Sequence, residues 1–180
     1  KAPNKGRTLI KVDVAALGAG TVINDQRFDG TTGFVIDSLN GNREITGAQL
    51  DTLRNSAFPT VLLDYKQRGI ALALEPSKQD VAGKPAYVIT VTPKAGPPAR
   101  MFVDQDSFML VRTSTTLNVP QLGGDIEQVV EFSDFRDVDG IKVPFVTRTV
   151  NQVQTVVTTL TSVKHNVEID DSMFTKPAAQ

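Results

Sequence analysis

Ser133-Asp134-Phe135-Arg136-Asp137-Val138-Asp139-Gly140-Ile141-Lys142-Val143-Pro144-Phe145 is the stretch that decides the fold. Ahead of it, Ile126, Gln128, Val130 and Phe132 fall on one face of an extended chain, with Glu127, Glu131 and Ser133 on the other. In its second half, Ile141, Val143 and Phe145 alternate with Lys142, Pro144 and Val146. Period-two alternation places side chains on opposite faces of a strand. Asp139-Gly140 sits between the two runs, and a primed turn needs positive φ that glycine adopts without a Cβ clash. The stretch therefore reads as a long antiparallel hairpin, against which the rest of the chain is laid.

Working outward, the same alternation recurs. Thr8, Ile10, Val12 and Val14 form an apolar face against Arg7, Lys11 and Asp13, which predicts a half-buried first strand. Further strands are expected over 21–28, 33–37 and 43–45, turning at Asp29-Gly30 and Asn40-Gly41-Asn42. Thr46, with Gln49 three residues on, has the pattern of a capping box, and Leu50, Leu53 and Ala57 follow at helical spacing. Phe58-Pro59 interrupts that helix, a second short one is expected over 60–67, and Gly69 ends it. Thereafter the chain is strand and turn, with hairpins at Ala82-Gly83-Lys84-Pro85 and Gln105-Asp106-Ser107, and a last Val- and Thr-rich strand over 154–163. Asp170 to Phe174 reads as one helical turn. The sum is a mostly β, α+β architecture.

Composition narrows the function. A chain of 180 residues suits a single domain, and 40% apolar with 22% charged residues is a globular balance. A net charge of -1 offers no surplus of cations for a phosphate backbone, so no nucleic-acid partner is expected. Cysteine is absent, which removes thiolate ligands and nucleophiles together, and His165 is the one histidine. Ser133 and Ser162 lie in predicted strands without a nucleophile elbow. Asp134, Asp137 and Asp139 could in principle offer oxygens to Ca²⁺, but their spacing is not that of an EF-hand, and aspartate is a favoured turn residue. No catalytic residue, metal or cofactor is expected. Arg7, Lys11, Arg43 and Arg54 are scattered, and solvated faces account for them.

Three stretches together resemble the outer-membrane lipoprotein-sorting superfamily, with its LolA/LolB-like fold. Ala2-Pro3-Asn4-Lys5-Gly6-Arg7 is similar to the Arg-Pro-x-x-Phe-Arg run that opens a strand in that family. Phe28 to Asp37 resembles its Asp-Gly-x-x-aromatic hairpin, and Phe102-Val103-Asp104 with Met109-Leu110-Val111-Arg112 resembles its strand pair around an Asp-led turn. The closing stretches, Ser133 to Phe145 and Lys164 to Phe174, are similar to uncharacterised exported bacterial proteins of the superfamily. Two positions depart from the pattern. Ala2 stands where carriers have the arginine that ties down the lid and is linked to lipid release. Phe108 stands where the turn usually has glycine, so this turn is expected to differ, since a bulky residue at positive φ is strained.

The resemblance implies a strongly curved antiparallel sheet, an incomplete barrel covered by one or two helices, in a single domain over 1–180 that lacks the family's N-terminal helix and first strands. It implies a periplasmic or otherwise exported, non-enzymatic protein that takes an apolar ligand in its hollow. That ligand would be an acyl chain, a lipid or a lipidated partner such as a lipoprotein or envelope protein. The expected lining is the helical stripe Leu50, Leu53, Phe58 and Leu62, faced by Ile10, Val12, Phe28, Phe34, Phe102, Met109, Val130 and Phe132. Core packing explains the same stripe, and both readings can hold together. The alternative is an interaction or sensor module on this scaffold with a filled core, its Thr155–Thr161 edge open to a partner strand. Separately, without the family's first strands, the sheet would expose an edge to a homodimer.

Overall fold

The computed structural model describes residues 1–2, 4–13, 20–55, 62–63, 65–119 and 124–177. They form two compact units, one of residues 1–65 with 168–180 and one of residues 66–167. Both are built on open antiparallel sheets, twelve strands in all among the described residues.

The first unit carries a four-stranded sheet in the order β1 (Gly6–Asp13), β2 (Thr21–Phe28), β3 (Gly33–Asp37) and β4 (Arg43–Ile45). β1 and β2 pair over their full lengths, from Gly6 opposite Phe28 to Asp13 opposite Thr21. The β2–β3 turn is held by Asp29, whose carboxylate accepts from the Thr31 and Thr32 amides at 2.8 and 2.7 Å, while Gly30 takes φ +101°. Helix α1 (Gly47–Asn55) follows β4. Its start differs from the expected capping box. Gly47 enters it at φ +57°, and Thr46 and Gln49 make no reciprocal bond. Leu53 and Ile45 lie over the bare Cα of Gly33, and Phe28, Val35, Ile45 and Phe174 are buried. The chain's end returns to this unit as a 3₁₀ turn, Asp171–Met173, capped by the Asp170 carboxylate. Lys1 and Lys5 each reach Asp171 at 2.7 Å.

Two sequence expectations are corrected here. The apolar face of β1 is not half-buried: Ile10 and Val12 are 51% and 47% exposed. Alternation says that the two faces of a strand differ, not that anything covers either, and here, among the described residues, neither face of this edge strand is covered. Arg7, expected on a solvated face, is instead tied by two 2.7 Å bonds to Asp25, which is 3% exposed and also accepts from Arg27.

Helix α2 (Tyr65–Arg68) ends at Gly69, whose φ of +65° and amide bond to the Lys66 carbonyl close the turn. The second unit is an eight-stranded sheet. Its strands are β5 (Ala71–Leu74), β6 (Gln79–Val81), β7 (Lys84–Thr92), β8 (Ala99–Asp104), β9 (Leu110–Val119), β10 (Gly124–Val138), β11 (Ile141–Val150) and β12 (Thr155–Thr159). Their order is β12-β11-β10-β9-β8-β7-β5, with β6 paired to the start of β7. The Asp139-Gly140 hairpin is found as read, with φ of +52° and +80°, and Ala82-Gly83 repeats it at +54° and +81°. The core gathers Val81, Ala86, Val88 and Phe102, with Val111 packed on it.

The β8–β9 turn reverses an expectation. Phe108 does sit at positive φ, +56°, with its ring 71% exposed. The surrounding bonds impose this conformation. Asp104 accepts from the Ser107 amide and hydroxyl at 2.8 and 2.6 Å, its carbonyl takes the Phe108 amide, and its own amide reaches the Met109 carbonyl. A turn closed at that many points leaves φ of the remaining residue little choice.

Candidate ligand-binding hollow

One face of the second unit's sheet bounds a hollow of about 740 Å³, a volume in the range of small-molecule sites. Register explains its walls. Val88, Phe102, Arg112, Glu131, Arg148 and Val157 are successive cross-strand partners from β7 to β12, so their side chains form one transverse row on the same face. Glu131, Arg148 and Val157 of that row line the hollow, and Ser133 and Val146 continue it one step along the strands. β9 contributes by an irregularity. Phe102 pairs with Arg112 but Val103 with Leu110, so Val111 is an extra residue on its strand, and this bulged residue reaches the hollow beside Met109. Val81, Ala86, Phe132 and Phe135 complete an apolar wall.

The charges of the transverse row are already spent on one another. Glu131 accepts from Arg112 Nη2 at 2.7 Å and from Arg148 Nη1 at 3.1 Å. The Arg112 bond, with Arg148 and both positive charges, outweighs burial and holds the Glu131 carboxyl below its ordinary range. Arg112 also lies 5.7 Å from the Phe102 ring centre, and its Nε is buried without a partner. Asp104, at the hollow's other end, is likewise lowered, chiefly by its bonds from Ser107, and is bound up in the turn. Both are ionised, engaged acceptors, which is the state of groups that hold structure. Lys84 and Lys142 stand among the lining, Lys142 at 3.5 Å from Asp137.

Of the residues expected to line a cavity, Met109 and Phe132 do so. Phe102 is buried in the adjoining core, and Val130 is half-buried on β10. Ile10, Val12, Phe28, Phe34, Leu50, Leu53 and Leu62 belong to the first unit, where Phe28 is buried and Phe34, Leu50, Leu53 and Leu62 are half-buried. Phe58 lies outside the described residues. Along β10 the hollow takes Glu131, Ser133 and Phe135 as well as Phe132. Glu131 was missed because its partners stand 19 and 17 residues away, and only the register brings them together.

The other candidates are accounted for locally. Asp134 is bonded by Arg136, Asp137 accepts the Gly140 amide, and Asp139 lies 3.3 Å from His165 Nδ1. Among the described residues no group of three or more His, Cys, Asp or Glu is placed to hold a metal, and no helix is long and apolar enough to cross a membrane.

No family model matches the chain, and no curated protein does. Its structure is similar to the crystal structure of a LolA superfamily protein from Nitrosomonas europaea, at 10% identity and a TM-score of 0.50, over 87% of this chain and 82% of that one. The expected fold is thus found: mostly β, antiparallel, open rather than closed into a barrel, and LolA-like.

Proposed function

We propose that this protein binds an apolar ligand, an acyl chain, a lipid or a lipidated partner, in the hollow of its second unit. The reading carries with it a non-enzymatic role and a place in the periplasm or elsewhere beyond the inner membrane. The observation that carries it is the hollow itself: about 740 Å³ walled mainly by Met109, Val111, Phe132, Phe135, Val146 and Val157, with the Glu131 carboxylate in its wall neutralised by Arg112 and Arg148. A LolA-like sheet supports it at the level of the fold. Binding would be driven by burial, at about 0.8 kcal/mol for each CH₂ removed from water, with little polar selection.

Native mass spectrometry of the gently purified protein, before and after incubation with a long-chain fatty acid and a diacylated lipopeptide, tests the reading. Uptake of either, lost in Val146→Trp at an unchanged melting temperature, is the expected result. No uptake of any acyl species by the parent protein would overturn it.

A further inference from the structure

Strand β12 ends the eight-stranded sheet, paired among the described residues with β11 alone, and all five of its residues are exposed. Natural edges are guarded by lysine, proline, a bulge or a covering segment. Here the thirteen residues from Asn151 to Val163 contain no charge, no proline and no glycine. Thr155-Val156-Val157-Thr158-Thr159 is a β-favouring run left open to pairing.

The hydrogen bonds at its two ends determine which groups are open. The Asn151 amide donates to the Gln154 carbonyl at 3.1 Å, and the Leu160 amide to the Phe145 carbonyl at 2.8 Å. Both pairs fall on the register of β11 with β12, in which Val146 faces Thr159 and Val150 faces Thr155. In an antiparallel ladder, hydrogen-bonded and non-bonded pairs alternate. Even-numbered residues of β12 therefore spend their backbone groups on β11. Thr155, Val157 and Thr159 turn theirs outward.

We propose that this edge takes a second copy of the chain, antiparallel, with a two-fold axis at Val157. That register sets Thr155 against Thr159, Val157 against Val157 and Thr159 against Thr155. All three outward residues then meet outward residues, with two bonds per pair and about six in all. The side chains also suit themselves: at the three outward positions threonine opposes threonine and valine opposes valine, Val156 and Thr158 oppose each other between them, and no like charges meet. Shifting the axis midway between residues would set outward groups against inward ones. A second copy fits better than an unrelated strand because the segment is its own complement. The pairing would join two eight-stranded sheets edge to edge and place the two hollows side by side, since Val157 lines each.

Two experiments decide this. Sedimentation equilibrium from about 1 µM to about 1 mM should show a monomer–dimer equilibrium. Val157→Lys, which sets two ammonium groups on the axis, should leave a monomer with an unchanged circular dichroism spectrum. Should that variant fail to fold, Val157→Cys gives an independent reading, because the chain has no cysteine of its own. Hydrogen-bonded antiparallel partners lie about 5.5 Å apart at Cα, within disulfide reach. Mild oxidation should convert Val157→Cys to a covalent dimer, and Val156→Cys, which faces Thr158, at least about tenfold more slowly. A protein monomeric throughout the range, or a dimer in which the two cysteine variants link at equal rates, overturns the proposal.

Discussion

Phe108 holds φ of +56° while its ring stays 71% exposed, so no burial offsets the strain. A left-handed conformation costs an L-residue about 1–2 kcal/mol, and glycine escapes it. Phe108→Gly is therefore expected to raise the urea midpoint, corresponding to about 1 kcal/mol, with the slope unchanged; a lowered midpoint would show that the ring contributes contacts. Asp25 is the opposite case. Its carboxylate is buried between Arg7 and Arg27, at 2.7 and 2.8 Å. Burial pushes its pKa up, and the bonds and charges of the two arginines more than reverse this. Asp25→Asn keeps the shape and removes the charge, leaving two half-buried guanidinium groups unneutralised. A loss of about 3 kcal/mol in urea unfolding is expected.

At the scale of elements, Gly33 shows how tightly the first unit's strands and helix approach. A Cβ built there would lie 2.9 Å from Ile45 Cβ and 3.1 Å from Leu53 Cδ1. Gly33→Ala is expected to cost about 1–3 kcal/mol by overpacking, read as a lower melting temperature. What the sequence disclosed about such elements follows from range. Turns such as Asp139-Gly140 and Asp29-Gly30 were legible because their chemistry is complete within four residues. Strand limits at 21–28, 33–37 and 43–45 were legible from alternation and the turns between them. The Arg112–Glu131–Arg148 row and the Arg7–Asp25 pair were not, because they depend on which strand lies beside which. Alternation in β1 likewise says that faces differ without saying whether anything covers them. At the hollow, Met109 and Phe132 were foreseen as apolar. Val111 was not, since it enters through a one-residue bulge that leaves no mark in the pattern.

For the whole molecule, acid is the natural stress. Amide bonds from Asn40 and Leu39 hold Asp37 down to about 2, and bonds from Lys1 and Lys5 do the same for Asp171. Asp25 and Glu131 are lowered too. In the unfolded chain these groups titrate near about 4. Between the two values the unfolded state binds more protons, so the stabilisation is full above about pH 4 and is lost as pH falls toward about 2. Melting temperatures measured from pH 7 to pH 2 should be flat at first and then fall through that window. Asp171→Asn should shallow the fall, and an unbroken plateau down to pH 2 would refute the assignment.

The second unit is one continuous run, 66–167, whereas the first is made of 1–65 together with 168–180. Synthesis imposes an order on these two. As the chain leaves the ribosome, the later-made sheet has all its strands as soon as residue 167 emerges. The earlier-made one must wait for residues 168–180, which follow that sheet in the chain. Until then Lys1 and Lys5 have no Asp171 to meet, and the core that closes on Phe174 stays open. The earlier-made of the two units is thus the later to be finished, and any stop short of residue 168 releases it incomplete.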